Sequence, residues 1–200
     1  PPQTYTLYRS SAASDVYKRQ VSNLVGNRAL EEAMQTEMDR LGPIAFDEAD
    51  RAFAREIQKT LTKDDIAASF RRCGMPPPED DMALCDFVAP LDLPNGGGNG
   101  STDVGDVSWA VPTVQARITT CAVGTVFHTW QTVAQGKVPA AHKGMVYAAK
   151  VMAATAKRVI ENPALIADAK AQHATYLAKT PYVCPLPDGV QPPLVARAAE

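Results

Sequence analysis

Proline and glycine cut this chain into pieces of helix length, and that punctuation constrains the fold more than any other feature. Pro139 can open a helix, because its missing N–H falls where no intrahelical partner exists. Pro163 forces an end near Asn162, because the residue before a proline is pushed out of the helical region. Between them Met145, Ala149, Met152, Ala156 and Val159 recur at helical spacing and are expected to form the buried stripe. Asn162-Pro163 is itself a good cap and first residue for a last helix reaching about Lys179. Upstream, Asn27 can cap a helix with Leu30, Met34, Met38 and Leu41 on one side, stopped by Gly42-Pro43. Asp47 caps the next, with Ala49, Phe53, Ile57 and Leu61 as its expected stripe, and a short helix follows from Asp64 to Arg71.

The intervening segments look different. "GMPPPEDD" (74 to 81) is an acidic, Pro-rich surface connection. "DFVAP" (86 to 90) fits a short strand. "VSWAVPTVQARITTCAV" (107 to 123) is rich in β-branched residues and fits one or two strands, with Pro112 at a break or an edge. "GTVFHTWQTVAQGK" (124 to 137) reads as loop, and the Pro-rich tail from Tyr182 as extended chain along a surface. Helices with a few strands predict an α/β or α+β body.

Two hundred residues suffice for one domain with a real core. The formal net charge of -2 gives no basic stripe for nucleic acid, and no apolar run is long enough to span a membrane. Cys73, Cys85, Cys121 and Cys184 are widely and irregularly spaced, as expected of reduced thiols in a cytoplasmic protein. Residues 10 to 20, "SSAASDVYKRQ", resemble a translated sequencing adaptor. Residues 1–20 are therefore expected to be a foreign or disordered leader, and residues 21–200 the folded part.

The chemistry centres on "NGGGNGSTDVGDVSW" (95 to 109). A phosphate cradle of the Gly-x-x-x-x-Gly-Lys type needs a lysine, but this stretch holds no basic residue and Asp103 and Asp106 would repel phosphate. No strand–Gly-x-Gly-x-x-Gly–helix unit surrounds it either. Acids in a glycine-rich loop suit a metal site better, where carboxylates ligate a hard metal or orient a bound histidine. His128, in a second glycine-containing loop beside Trp130, is a candidate ligand, although on spacing alone a surface or core imidazole is the commoner outcome. His142 falls in the first turn of a helix, where the dipole disfavours a cation, and His173 reads as solvated. Glu31-Glu32 has no partner histidine, and no Gly-x-Ser-x-Gly elbow or His-x-x-x-His pair occurs.

Several long motifs, in order, carry a resemblance: "FDEADRAFAREIQKTL" (46 to 61), "GSTDVGDVSWAVPTVQ" (100 to 115), "HTWQTVAQGK" (128 to 137), "AHKGMVYAAKVMAATA" (141 to 156) and "YVCPLP" (182 to 187). They resemble the C-terminal part of the amidohydrolases related to the B-type subunit of aminobenzoyl-glutamate hydrolase, within the large aminoacylase and carboxypeptidase-like metallopeptidase family. The resemblance implies an α/β fold, with helices packed on a mixed sheet as in a zinc-peptidase catalytic domain. It implies two divalent metals, zinc or manganese, bridged by a water that attacks an amide carbonyl with a glutamate as general base. His128 corresponds to the family's last metal ligand. Asp103, Asp106, Gly105 and Trp130 fall where the family shapes its metal loop or orients the bound histidine.

Two departures accompany it. Val126-Phe127 stand where relatives carry Pro-Gly before the histidine. The family's Cys-Gly-His-Asp-like motif, its Glu-Glu pair and its lid histidine have no match, so the N-terminal half and lid are expected to be absent. The expected function is part of a metal-dependent amidohydrolase of N-acyl amino acids such as aminobenzoyl-glutamate, inactive alone and oligomeric when complete. The alternative is a non-catalytic structural or interaction module of the same fold. An isolated piece is also expected to expose an apolar face and to aggregate or be marginally stable.

Overall fold

The computed structural model describes residues 23–76, 81–93 and 102–183. The leader at 1–20, the middle of the Pro-rich connection, the glycine run at 96–100 and the tail with Cys184 lie outside the described residues. Seven helices are described: α1 (Arg28–Leu41), α2 (Glu48–Gln58), α3 (Lys63–Arg72), α4 (Asp103–Ala110), α5 (Trp130–Gln135), α6 (Pro139–Ile160) and α7 (Pro163–Lys179).

The caps of α1, α2, α6 and α7 are those the sequence called for, and α3 adds one that it did not. Asn27 Oδ1 accepts the Leu30 N–H at 3.3 Å, while its Nδ2 donates to the Ala169 carbonyl at 2.8 Å, so one buried asparagine caps α1 and ties it to α7. Gly42 takes φ 70°, the left-handed conformation that lets a glycine end α1. Asp47 and Asp50 form a reciprocal capping box on α2, and Thr62 and Asp65 another on α3. Pro139 and Pro163 open α6 and α7.

Helices α1, α6 and α7 pack on one another. Leu30 and Ala169, with Val114, Val159 and Leu165 against them, form one core cluster. A second joins Phe46, Ala54 and Ile57 to Ala83, Leu84 and Ala122. Polar bridges reinforce the frame. Glu37, buried on α1, accepts from Arg40 Nε at 2.7 Å and from Arg158 Nε of α6 at 2.6 Å. Lys143 of α6 reaches Asp47 at 2.7 Å and also Asp50, at the head of α2.

The expected mixed sheet is overturned. Among the described residues there is no strand, and 59% of them are helical. Val107 to Ala110 belong to α4, because Thr102 caps that turn with its hydroxyl on the Val104 N–H, and Pro112 stops the helix by holding Val111 extended. Residues 112–120 form neither helix nor strand. Their neighbours are helices: Val114 packs with Leu30 and Ala169, and the Thr119 carbonyl lies so close to Gly144 of α6 that a Cβ there would run into it. β-branched content marks chain that fits a half-buried surface, and that surface need not be a sheet. Residues 86–90 likewise form no strand, and the segment 124–137, expected to be loop throughout, contains α5.

Two stripes are also corrected. On α2 the buried positions are Asp50, Ala54 and Ile57, while Ala49 and Phe53 are exposed. On α6 they are Ala140, Ala141, Gly144, Val151 and Thr155; Val151 is 1% exposed and its neighbour Met152 is 66% exposed. Small residues win the buried side of α6 because the chain at 119–120 approaches so closely. Met145, Ala149, Met152 and Ala156 are exposed, and Val159 alone of that stripe packs inward. Met145, Val146, Met152 and Ile160 thus stand exposed on α6. No helix among the described residues is long and apolar enough to cross a membrane.

Candidate functional site

His128 occupies an exposed loop tip between Ala122 and α5. Its φ is 66°, and it is the one non-glycine residue with positive φ among those described. That conformation costs an L-residue roughly 1–2 kcal/mol, so the surrounding structure must impose it. The loop below is laced by a buried polar network. Gln135, 2% exposed, accepts the Ala122 N–H at 2.7 Å through Oε1 and donates from Nε2 to Thr125 Oγ1 at 3.0 Å. Thr125 Oγ1 donates to the Ala122 carbonyl at 2.7 Å. Thr129 and Thr132 hydroxyls both donate to the Val126 carbonyl, at 2.6 and 2.9 Å. Gly124 turns the chain with φ 96°, and its N–H donates to Ser69 of α3 at 3.1 Å. A side chain at 124 would strike Ile66, so glycine is required twice over.

Around His128 in the chain the surface is apolar: Phe127, Trp130 and Val133 are all exposed, with Trp130 at 61%. Trp130 is the first residue of α5, two positions after the histidine. Burial pushes the thiol of Cys121, at the root of this loop, above its ordinary range, and likewise Cys85, so neither is prone to form a nucleophilic thiolate.

The other candidates lie on α4. Asp103 is its first residue, Gly105 is buried in its first turn, and Asp106 is half-buried and accepts from Tyr182 Oη at 3.1 Å. Trp109 stacks edge-on against Tyr176 with ring centroids 5.7 Å apart, and Tyr182 lies at the same distance. Its indole N–H donates to the Asn23 carbonyl at 3.2 Å. The turn that carries Asp106 is therefore anchored to α7 and to the chain just after it.

His173 is the residue the sequence misplaces. It is buried rather than solvated, and its Nε2 lies 2.9 Å from the Ser108 carbonyl oxygen. Ser108, fully buried, donates its hydroxyl to the Gly105 carbonyl at 2.5 Å and accepts the Val25 N–H at 2.8 Å. The imidazole meets the serine's backbone and not its hydroxyl, so the pair is a structural clasp and not a nucleophile with its base. The signal was available: Leu165, Ala169 and His173 lie four apart on the buried side of α7. His142 is exposed.

Among the described residues, no group of three or more His, Cys, Asp or Glu side chains is placed to hold a metal ion. A catalytic zinc takes about three protein ligands. The donors described in this chain do not fit a metal centre by themselves.

Comparison with known proteins gives a relationship to a hydrolase subunit. The chain is similar to the B-type subunit of p-aminobenzoyl-glutamate hydrolase from Escherichia coli strain K12, with 36% identity over 185 residues. The match takes in 88% of this chain and 38% of the relative, so the chain spans well under half the relative's length. No family model matches, and no solved structure does.

Proposed function

We propose that this chain, a relative of the B-type subunit of p-aminobenzoyl-glutamate hydrolase, is part of a hydrolase that cleaves the amide bond of N-acyl amino acids of the aminobenzoyl-glutamate type. The observation that carries the reading is the similarity itself, 36% identity across 88% of the chain. His128 is the residue assigned to the chemistry. It is exposed, at a loop tip, and held in a conformation that the fold must enforce.

The complete enzyme depends on zinc or manganese, two per site, and this chain supplies one donor, the His128 imidazole. This chain's own contribution is narrower: the loop beneath His128 fixes where the imidazole points, and Asp103, Asp106 and Gly105 shape a second turn of the site. Trp130 adds an apolar ring at the start of α5. The relative is named as one subunit of a hydrolase, which supports an assembled enzyme, and the free thiols of Cys73, Cys85 and Cys121 suit the reducing cytoplasm.

A second reading has its own observation. The lack of a metal-holding group among the described residues favours a non-catalytic module of the same origin. One experiment tests what the two readings share. The purified chain is incubated with zinc or manganese and p-aminobenzoyl-glutamate, and release of p-aminobenzoate is followed. No turnover is expected from the chain alone, and turnover would overturn the claim that one donor is insufficient.

A further inference from the structure

The short helix α5 does something that neither its sequence nor the similarity assigns. Thr129 at its N-cap and Thr132 and Gln135 within it stand three apart, so they share one face. All three are spent on the loop that precedes the helix. Thr129 and Thr132 converge on the Val126 carbonyl, two residues before His128. Gln135 bonds Ala122 and Thr125 at once, and also donates to the Gln131 carbonyl at 3.0 Å. The loop is therefore gripped along 122–126 and released only at Phe127 and His128, which are both exposed.

We infer that α5 is a clamp that fixes the pose of His128, with Thr132 and Gln135 as positioning residues. A non-glycine residue leaves the left-handed region once nothing holds it there. Here the holding atoms are named, and the clamp also explains why the polar side of so short a helix is turned inward. Gln135 is buried with both ends of its amide bonded, so its amide is committed to the loop and not offered to a ligand. Its role is exerted through the loop. The inference rests on the reading that His128 carries the chemistry, but the clamp itself is tested without metal or substrate.

At φ 66° the amide proton and Hα of one residue approach more closely than at negative φ. NMR of the full chain is thus expected to show a strong intraresidue amide–Hα NOE at His128. Gln135→Leu keeps the bulk and removes both hydrogen-bonding groups; Thr132→Val removes one hydroxyl and keeps the shape. Each is expected to weaken the His128 NOE several-fold while the amide shifts of α6 and α7 stay in place. Should Gln135→Leu fail to fold, Thr132→Val decides alone. A His128 NOE that persists in the folded variants overturns the clamp. So does its absence from the unaltered chain, or a loss accompanied by equal shifts throughout α6 and α7. A clamp that stands while the completed enzyme ignores His128 would sink the functional reading and leave this inference intact.

Discussion

Replacing Gly144 by alanine tests whether residues 111–120 really lie on a helix. In the interior of α6, alanine is intrinsically better than glycine by about 1 kcal/mol. Against that gain stands a contact. A Cβ at 144 would collide with the Thr119 carbonyl oxygen, and it would lie 2.9 Å from Thr120 Cγ2 and 3.1 Å from the Thr119 carbonyl carbon. Two of those three atoms are backbone, so relief requires moving α6 or the segment at 119–120. Overpacking of that kind costs about 1–3 kcal/mol, and rigid obstruction puts the cost at the upper end. The net expectation is a loss of about 1–2 kcal/mol, or roughly 2–8 °C in Tm for a chain of this size. Gly136→Ala is the control. A Cβ there meets only the Val133 carbonyl oxygen at 3.5 Å, and φ is -64°. It is expected to be neutral or stabilising by up to about 1 kcal/mol. Thermal unfolding followed by far-UV circular dichroism measures both. If Gly144→Ala is as stable as the unaltered chain, residues 119–120 do not pack on α6 and the fold described here is wrong at that point.

Two further predictions concern the helix frame. The Arg40 guanidinium, and then that of Arg158, hold the Glu37 carboxyl below its ordinary 4.5. A depressed carboxyl stabilises above the ordinary value and loses that contribution as pH falls through the folded value. The urea midpoint of the unaltered chain should drop as pH is lowered below about 4.5, and Glu37→Gln should flatten that drop; an equally steep fall in the variant refutes the bridge. Adjacent positions on α6 should also behave oppositely. Val151→Ala should cost about 2–3 kcal/mol from two lost methyl groups and the cavity left behind. Met152→Ala should stay within about 0.5 kcal/mol. Equal losses would return α6 to the orientation that its methionines suggest.

The helix boundaries were legible because they are written in local chemistry. Asn27, Asp47, Pro139 and Asn162-Pro163 act on their own neighbours, and α1, α2, α6 and α7 begin where those residues stand. Facing was less legible, since it depends on what packs against the helix. Hydrophobicity put Met145 and Met152 inside α6, but the close approach at Gly144 selects the small side. The strands at 86–90 and 107–123 were misread for the same reason: valine and threonine fit a half-buried chain whether its neighbour is a strand or a helix. At the candidate site, the motif singled out His128, but its φ and the Gln135 network arise from a turn no spacing encodes. His173 was missed because its polar partner, the Ser108 carbonyl, lies 65 residues away.

The central claim is that His128 serves a hydrolytic site which this chain completes but does not contain. The measurement that tests it most directly is a chimera. The stretch of the Escherichia coli hydrolase's B-type subunit that matches this chain is replaced by this chain's own residues, and release of p-aminobenzoate is measured in the assembled enzyme with and without His128→Ala. Losing a group that merely orients a metal ligand costs about 10–100-fold, so losing a ligand should lower turnover by more than about 100-fold. Turnover by the chimera that does not change when His128 becomes alanine would contradict the account.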